Sequence, residues 1–355
     1  MNKYIFHIDL NAFFVSAQEL LNPEIKGKAV AIAGLKARSV VTSASYEARE
    51  YGVTSGESVL TAKKKCPHLL IIPANIDFYV DLSHQFIDFI KSYSDEVEVA
   101  SIDECYVNMT QTIKKYPYPL DLAVELQKEC LKQLSLKCSI GIAENKFLAK
   151  MASDMKKPMG ITVIRKEEIQ SKLWPLEIGS MYGVGKKSRE QLIKLGICTI
   201  KDLATYQDVK KLNQVFGIHY QEMIDRANGM DHSVLEQEST PKSLSQSQTF
   251  NEDVNDFEMI QTSLLQLSKR LEKRLNKYHL AGKSITLSIR YDDFKTISRS
   301  TPLNFYTHSS TEIYEIATRL YEQYDVQNAK RLLRIGINHL IDQDKISEEI
   351  ALFEV

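Results

Sequence analysis

Residues 97–109 read Val97-Glu98-Val99-Ala100-Ser101-Ile102-Asp103-Glu104-Cys105-Tyr106-Val107-Asn108-Met109. Val97 to Ile102 and Tyr106 to Met109 carry strand patterns, and between them stand two acids where a tight turn ordinarily carries Gly or Asn. An acid pair at a bend between apolar strands points to chemistry rather than to a solvated turn. Upstream, Phe78, Leu82, Phe86, Phe89 and Ile90 recur at helical spacing and predict a helix from Phe78 to Tyr93. Downstream come a helix from Leu120 to Leu134 started by Pro119, a strand from Lys137 to Ala143 and a helix from Asn145 to Met155. At the N-terminus, Tyr4 to Leu10 is a short apolar strand that ends in Asp9. The order is β-α-β-β-α-β, an α+β, ferredoxin-like arrangement over residues 1–11 and 76–165. In such a sheet the first strand lies beside the hairpin, so Asp9, Asp103 and Glu104 converge at one edge.

Between the first strand and the first helix lies an insertion, residues 12–75, rich enough in Ala, Gly and short strand patterns to form a small subdomain. After Ile164 the pattern turns short and helical, punctuated by Gly183, Gly185, Gly196, Gly217 and Gly229, which predicts an all-helical domain over 166–231. Residues 232–241 carry Ser, Glu, Gln, Thr and Pro and read as a linker. A further β-α-β-β-α-β domain is expected over 242–341, with strands near Leu244 to Phe250, Ser284 to Tyr291, Lys295 to Thr301 and Leu332 to Leu340. Its helices are Phe257 to Tyr278 and Thr311 to Tyr324. In it Ile285, Leu287 and Ile289 alternate with Ser284, Thr286, Ser288 and Arg290, giving one apolar and one polar face. The tail, 342–355, is acidic but ends in Ile350, Ala351, Leu352 and Phe353.

A chain of 355 residues exceeds the size at which a single core stops growing. No run approaches the roughly 20 apolar residues that span a bilayer, and the N-terminus lacks a secretory pattern. Cys66, Cys105, Cys130, Cys138 and Cys198 are odd in number and show no Cys-x-x-Cys spacing, which speaks against a disulfide framework and a zinc site. These features point to a cytoplasmic protein with reduced thiols. The formal net charge of -1 gives no global basic signature, so contact with nucleic acid must rest on local patches or backbone amides. Clustered carboxylates repel one another unless cations join them, and hard oxygen ligands select Mg²⁺ or Mn²⁺. Two such ions about 4 Å apart serve in-line phosphoryl displacement. The ordinary alternative for Asp9 alone is a solvated strand end.

The chain resembles the Y-family translesion DNA polymerases, most closely the DNA polymerase IV (DinB) type. The likeness rests on His7-Ile8-Asp9-Leu10-Asn11-Ala12-Phe13-Phe14, on Ser45-Tyr46-Glu47-Ala48-Arg49 with Gly52, and on Ser101-Ile102-Asp103-Glu104. It continues through Ser139-Ile140-Gly141-Ile142-Ala143, Asn145-Lys146, Ala149-Lys150, Lys157-Pro158, Gly160 and Gly183-Val184-Gly185. Each string is short; their order and spacing make the match specific. The family usually has an acid where Asn11 stands.

The resemblance implies a palm (1–11 and 76–165), fingers (12–75), a thumb (166–231) and a little finger (242–341). It implies metal ligands Asp9, Asp103, Glu104 and the Leu10 carbonyl, with two Mg²⁺ ions that Mn²⁺ can replace. Phe13 and Phe14 would line the nucleotide pocket, Phe14 as the gate against a 2′-hydroxyl, while Ser43, Tyr46, Arg49 and Lys157 hold the triphosphate. Gly183, Gly185 and Lys186 would grip DNA as a helix-hairpin-helix, and Arg290, Arg299 and Arg334 would meet phosphates from the polar sheet face. Expected partners of this monomer are primer-template DNA, dNTP and, through Ile350, Leu352 and Phe353, a sliding clamp. A nucleotide cyclase could use similar carboxylates, and a noncatalytic relative could keep the fold. The first leaves the glycine-punctuated helices unused, and the second has no use for acids facing phosphate.

Overall fold

Every side chain of β1 (Ile5–Leu10) is buried, His7 and Asp9 included, because this strand lies in the middle of a sheet covered on both faces. The computed structural model describes residues 3–36, 38–236, 240–325 and 328–346, so Ile350, Leu352 and Phe353 lie outside the described residues. The chain forms two compact units, Met1–Glu238 and Ser239–Val355.

In the first unit, β1 is followed by α1 (Phe13–Leu21), β2 (Val30–Ala33), β3 (Val41–Ala44), α2 (Tyr46–Glu50), α3 (Val59–Lys65) and β4 (Leu70–Ile72). These strands make a separate sheet of order β3-β2-β4, with its own small core around Ala31, Val41, Ala48 and Ala62. Ser45 and Ser58 cap α2 and α3 by accepting the N–H groups of Ala48 and Thr61. The main sheet resumes with α4 (Ile76–Lys91), β5 (Val97–Val99), β6 (Glu104–Asn108), α5 (Pro119–Leu134), β7 (Cys138–Ala143), α6 (Lys146–Asp154) and β8 (Ile161–Val163). Its order is β5-β6-β1-β7-β8, so the strands that carry the acids are interior ones. The acids therefore gather at strand ends in the middle of the sheet and not at its lateral edge.

The two faces of β1 do different work. Phe6, Ile8 and Leu10 pack into one core with Leu82, Phe86 and Ile90 of α4 and Leu122 and Leu126 of α5. Ile5 joins another core with Phe147, Leu148 and Met151 of α6. His7 and Asp9 share that second face, since side chains alternate along a strand. Helix α6 sits unusually close to the sheet at Gly141 of β7, where an added Cβ would stand 2.0 Å from the Ala149 carbonyl oxygen and 2.3 Å from the Ser153 nitrogen.

The helical segment beyond β8 contains α7 (Lys186–Lys194), α8 (Ile200–Ala204), α9 (Val209–Phe216) and α10 (Tyr220–Ala227). Asn145, which caps α6, also donates to the Gly229 carbonyl, and Asp231 accepts from the Phe147 N–H. The start of α6 is thereby tied to the end of this segment.

The second unit runs β9 (Ser243–Val254), α11 (Phe257–Lys277), β10 (Leu280–Tyr291), β11 (Thr296–Thr307), α12 (Ser310–Tyr324) and β12 (Lys330–Asp342). The element order repeats that of the first sheet, but the strand order is β11-β10-β12-β9, with the first strand at an edge. The expected β-α-β-β-α-β order is present in this unit, but its strands pair in a different order from those of the first sheet. Ile285, Leu287 and Ile289 face α11 and α12, and among the described residues no helix of this unit covers the opposite face. Among the described residues no helix is long and apolar enough to cross a membrane. All five cysteines are free, four buried and Cys198 exposed.

Gly141→Ala should force α6 off the sheet at a cost of about 1–3 kcal/mol. Urea unfolding followed by the fluorescence of Trp174, the single tryptophan, measures this. An unchanged midpoint would show that the close approach at Gly141 is dispensable.

Candidate active site

The register of the sheet sets Asp9 of β1 directly opposite Glu104 of β6, and His7 opposite Tyr106. Residues paired this way share a face, and like charges so placed destabilise a sheet. Asp103 lies in the bend just before β6, where its carbonyl accepts the Leu10 N–H at 2.9 Å and its carboxylate accepts from the Ser101 hydroxyl. Burial, and behind it Glu104, pushes the Asp9 carboxyl up to about 7 in spite of Lys157. Glu104 goes the other way: against the cost of burial, hydrogen bonds with His7, Asp9 and Lys150 hold it below the usual carboxylate range.

Two lysines supply the missing charge. Lys150, on α6 and almost wholly buried, reaches Glu104 at 2.7 Å, Asp9 at 3.3 Å and Asp154 at 3.5 Å. Burial works against its ammonium, yet these carboxylates keep its pKa above the ordinary lysine value. Lys157 lies 2.5 Å from Asp9 and 2.7 Å from Asp154. His7 completes the cluster beneath, with Nδ1 2.8 Å from the Ser153 hydroxyl and Nε2 3.4 Å from Glu104. The Ser153 hydroxyl donates to the Lys150 carbonyl, which ties the His7 partner to α6.

A cavity of about 210 Å³ opens above the acids. Asp9, Leu10, Asp103, Glu104 and Lys157 line it from the sheet side, Phe13 and Phe14 from α1, and Ser43, Tyr46 and Arg49 from β3 and α2. Helix α2 starts at Tyr46, which puts Tyr46 and Arg49 one turn apart, with the guanidinium 4.7 Å above the Tyr46 ring. Arg49 Nε donates to the Ala44 carbonyl, which fixes the side chain further. Phe14 is half-buried and stacks on Tyr79 at 4.6 Å with ring planes 15° apart. Phe13 is buried and packs at the edge of Tyr79 as a core residue. Asp9, Asp103, Glu104 and the Leu10 carbonyl line the cavity with oxygen donors, the kind a hard divalent cation takes.

Sequence reasoning gave Lys150 and His7 no role. Lys150 stood inside a helical pattern and in one of the strings that carry the resemblance, and its pairing with carboxylates far off in sequence is visible only in three dimensions. Asn11, noted as a departure from the family pattern, is a buried junction. Its amide donates to the Ser139 hydroxyl at 2.9 Å, and its oxygen accepts the Met159 N–H at 2.8 Å. Met159 has φ 61°, a left-handed backbone that a side chain resists, and Asn11 holds it there.

Outside the cavity, Gly183 has φ +95°, Gly185 caps α7, and Lys186 begins that helix exposed. In the second unit, Arg290 pairs with Thr296 across the strands and Arg334 with Ser288, on the open face. Arg299 does not join them. Its partner is Leu287, which places it on the helix-covered side, with its guanidinium 5.1 Å from the Tyr324 ring. The expectation of an open-face arginine there is corrected.

Models of the impB/mucB/samB family match residues 8–154, of its C-terminal domain residues 241–350, and of the IMS family HHH motif residues 166–197. The chain belongs to this family, the Y-family DNA polymerases, and to its DinB type. It is 42% identical to DNA polymerase IV 1 of Halalkalibacterium halodurans, over 99% of this chain and 86% of that protein. DNA polymerase IV 1 of Bacillus subtilis is 39% identical over 99% and 86%, and DNA polymerase IV of Ureaplasma parvum 33% over 99% and 98%. A solved Y-family DNA polymerase chimera superposes with a TM-score of 0.86 at 25% identity, covering 95% of this chain and 99% of its own.

Asn11→Ala leaves the half-buried Met159 N–H without its acceptor and should cost about 1–3 kcal/mol. Hydrogen exchange at Met159 should speed up accordingly, whereas Asn11→Asp, which keeps an acceptor, should retain protection. Equal protection in the alanine protein would show that the loop is held by something else.

Proposed function

We propose that this DNA-directed DNA polymerase of the low-fidelity, translesion type joins nucleotides from dNTP to a primer at the cavity above Asp9, Asp103 and Glu104. Its cofactor is Mg²⁺, two ions per site, with Mn²⁺ as a substitute. One observation carries the reading: acids from the middle of the first sheet share a single cavity with Ser43, Tyr46, Arg49 and Lys157, which come from elements remote in sequence. Asp9, Asp103, Glu104 and the Leu10 carbonyl would hold the ions, which when bound neutralise charge on the reacting phosphoryl group and align its attacking and leaving oxygens.

The remaining work falls to the chain itself. Arg49 and Lys157 bind the triphosphate oxygens through charge-assisted hydrogen bonds, and Ser43 and Tyr46 add hydroxyl donors. Phe14, fixed by its stack on Tyr79, meets the sugar and excludes a 2′-hydroxyl by shape. Gly183, Gly185 and Lys186 offer backbone amides and charge to a DNA phosphate at the start of α7. Arg290 and Arg334 position primer-template DNA without reading its sequence. Ile350, Leu352 and Phe353 dock on a sliding clamp, and the enzyme works as a monomer in the cytoplasm. In these terms 12–75 are fingers, 166–231 thumb and 242–341 little finger, around a palm of 1–11 and 76–165.

Asp103→Asn should lower the rate of primer extension roughly a thousandfold or more while DNA affinity stays near that of the wild type. Near wild-type extension would sink the assignment of the acids. Phe14→Ala should raise ribonucleotide relative to deoxynucleotide incorporation at least about tenfold, equivalent to ~1.4 kcal/mol of lost discrimination. Unchanged discrimination would make Phe14 a core residue like Phe13.

A further inference from the structure

Lys157 is given one task by its family pattern, yet in this structure it performs another. Its ammonium does not lie free in the cavity. It is 2.5 Å from Asp9 Oδ2 and 2.7 Å from Asp154 Oδ1. Lys150 touches the same Asp9 oxygen at 3.3 Å, but the two lysines differ in freedom. The Lys150 side chain is 10% exposed and is held by Glu104, Asp9 and Asp154 together. The Lys157 side chain is 24% exposed, follows the end of α6, and lines the cavity that also holds Tyr46 and Arg49. One ammonium is enclosed, and the other can leave.

We infer that Lys157 is a placeholder cation: in the nucleotide-free enzyme it occupies Asp9 in competition with a divalent ion, and an arriving triphosphate draws it away, opening Asp9 to that ion. The inference rests on the metal site proposed above and adds an order of events to it. Asp9 cannot give the same oxygen fully to an ammonium and to a divalent cation. Whatever removes Lys157 therefore strengthens cation binding, and by linkage the cation strengthens whatever holds Lys157 elsewhere. A triphosphate is suited to that exchange, because it offers Lys157 several anionic oxygens in place of one carboxylate. The free enzyme would then keep its acids neutralised without a full set of ions, and the complete site would assemble only around a nucleotide. Lys150 stays with Glu104 throughout.

The test is Mn²⁺ binding to the nucleotide-free, DNA-free protein, read from the electron paramagnetic resonance signal of unbound Mn²⁺. Lys157→Met should bind Mn²⁺ at least about tenfold more tightly than the wild type, within the usual range for such linkage. Lys157→Arg, which keeps a cation, should stay close to the wild type. Arg49→Met is the control, since Arg49 lines the same cavity but contacts Tyr46 and Ala44 rather than an acid. It should tighten Mn²⁺ binding no more than about threefold by loss of general repulsion. Circular dichroism establishes that each variant is folded. Equal Mn²⁺ affinity in Lys157→Met and the wild type, or an equal gain in Arg49→Met, overturns the exchange. Asp9→Asn separates the two levels of the argument: if it binds Mn²⁺ as the wild type does, the metal site itself is wrong, whatever Lys157 does.

Discussion

Two carboxylates face each other across adjacent interior strands, and most of the first unit can be understood as the means of tolerating that arrangement. Asp9 and Glu104 are register partners in a sheet covered on both sides, Asp9 buried and Glu104 only partly exposed, so water screens their repulsion poorly. Lys150 has to come within reach of both, so α6 has to lie close to the sheet, so β7 carries glycine at the crossing point. His7 lies beneath on the same face, and Ser153 of α6 fixes its ring. Asn11 then anchors the chain at Met159, two residues beyond Lys157, to the end of the strand that carries Asp9. Each support is a local choice of residue, and each follows from the same repulsion.

Much of this was legible beforehand because periodicity reports which face a residue occupies. The helices α4, α5 and α11, the start of α5 at Pro119, and the acid pair at the bend into β6 all follow from spacing and turn chemistry. Neighbour relations did not follow. The same β-α-β-β-α-β order yields a sheet with its first strand inside in one unit and at the edge in the other, and alternation along a strand does not say which strand lies beside it. Arg299 shows the limit on a smaller scale. In β11 exposed residues stand on both faces, so only its pairing with Leu287 reveals which side the guanidinium takes. Lys150 was hidden for a different reason: a lysine in a helix is ordinarily a surface residue, and its burial is decided by partners more than 40 residues away in sequence.

The cavity divides its labour between rigid and borrowed parts. Its acids stand on interior strands whose positions are set by two hydrophobic cores. Its aromatic wall is fixed by the stack of Phe14 on Tyr79, a residue of α4. The cationic side comes from the small β3-β2-β4 subdomain, where Arg49 is already oriented by Tyr46 and the Ala44 carbonyl. Orientation achieved before a ligand arrives is entropy that binding need not remove.

The open face of the second sheet is a different kind of surface. At the positions aligned by register, Ser243, Ser245, Ser247 and Thr249 of β9, Thr286 and Ser288 of β10, and Ser298 and Ser300 of β11 surround Arg290 and Arg334. Neighbouring hydroxyls bond one another across the strands, Thr286 to Ser300 at 2.7 Å and Ser288 to Ser298 at 2.8 Å. In the DNA contact proposed for this face, a duplex would shed few of its condensed counterions, so the free energy of that contact would come mainly from hydroxyl and amide hydrogen bonds and change little with ionic strength. A lysine-studded surface would hold longer and be far more sensitive to salt. If the duplex rests on this face as proposed, brief residence on any one stretch of template would follow from the surface chemistry itself, with no separate device for letting go.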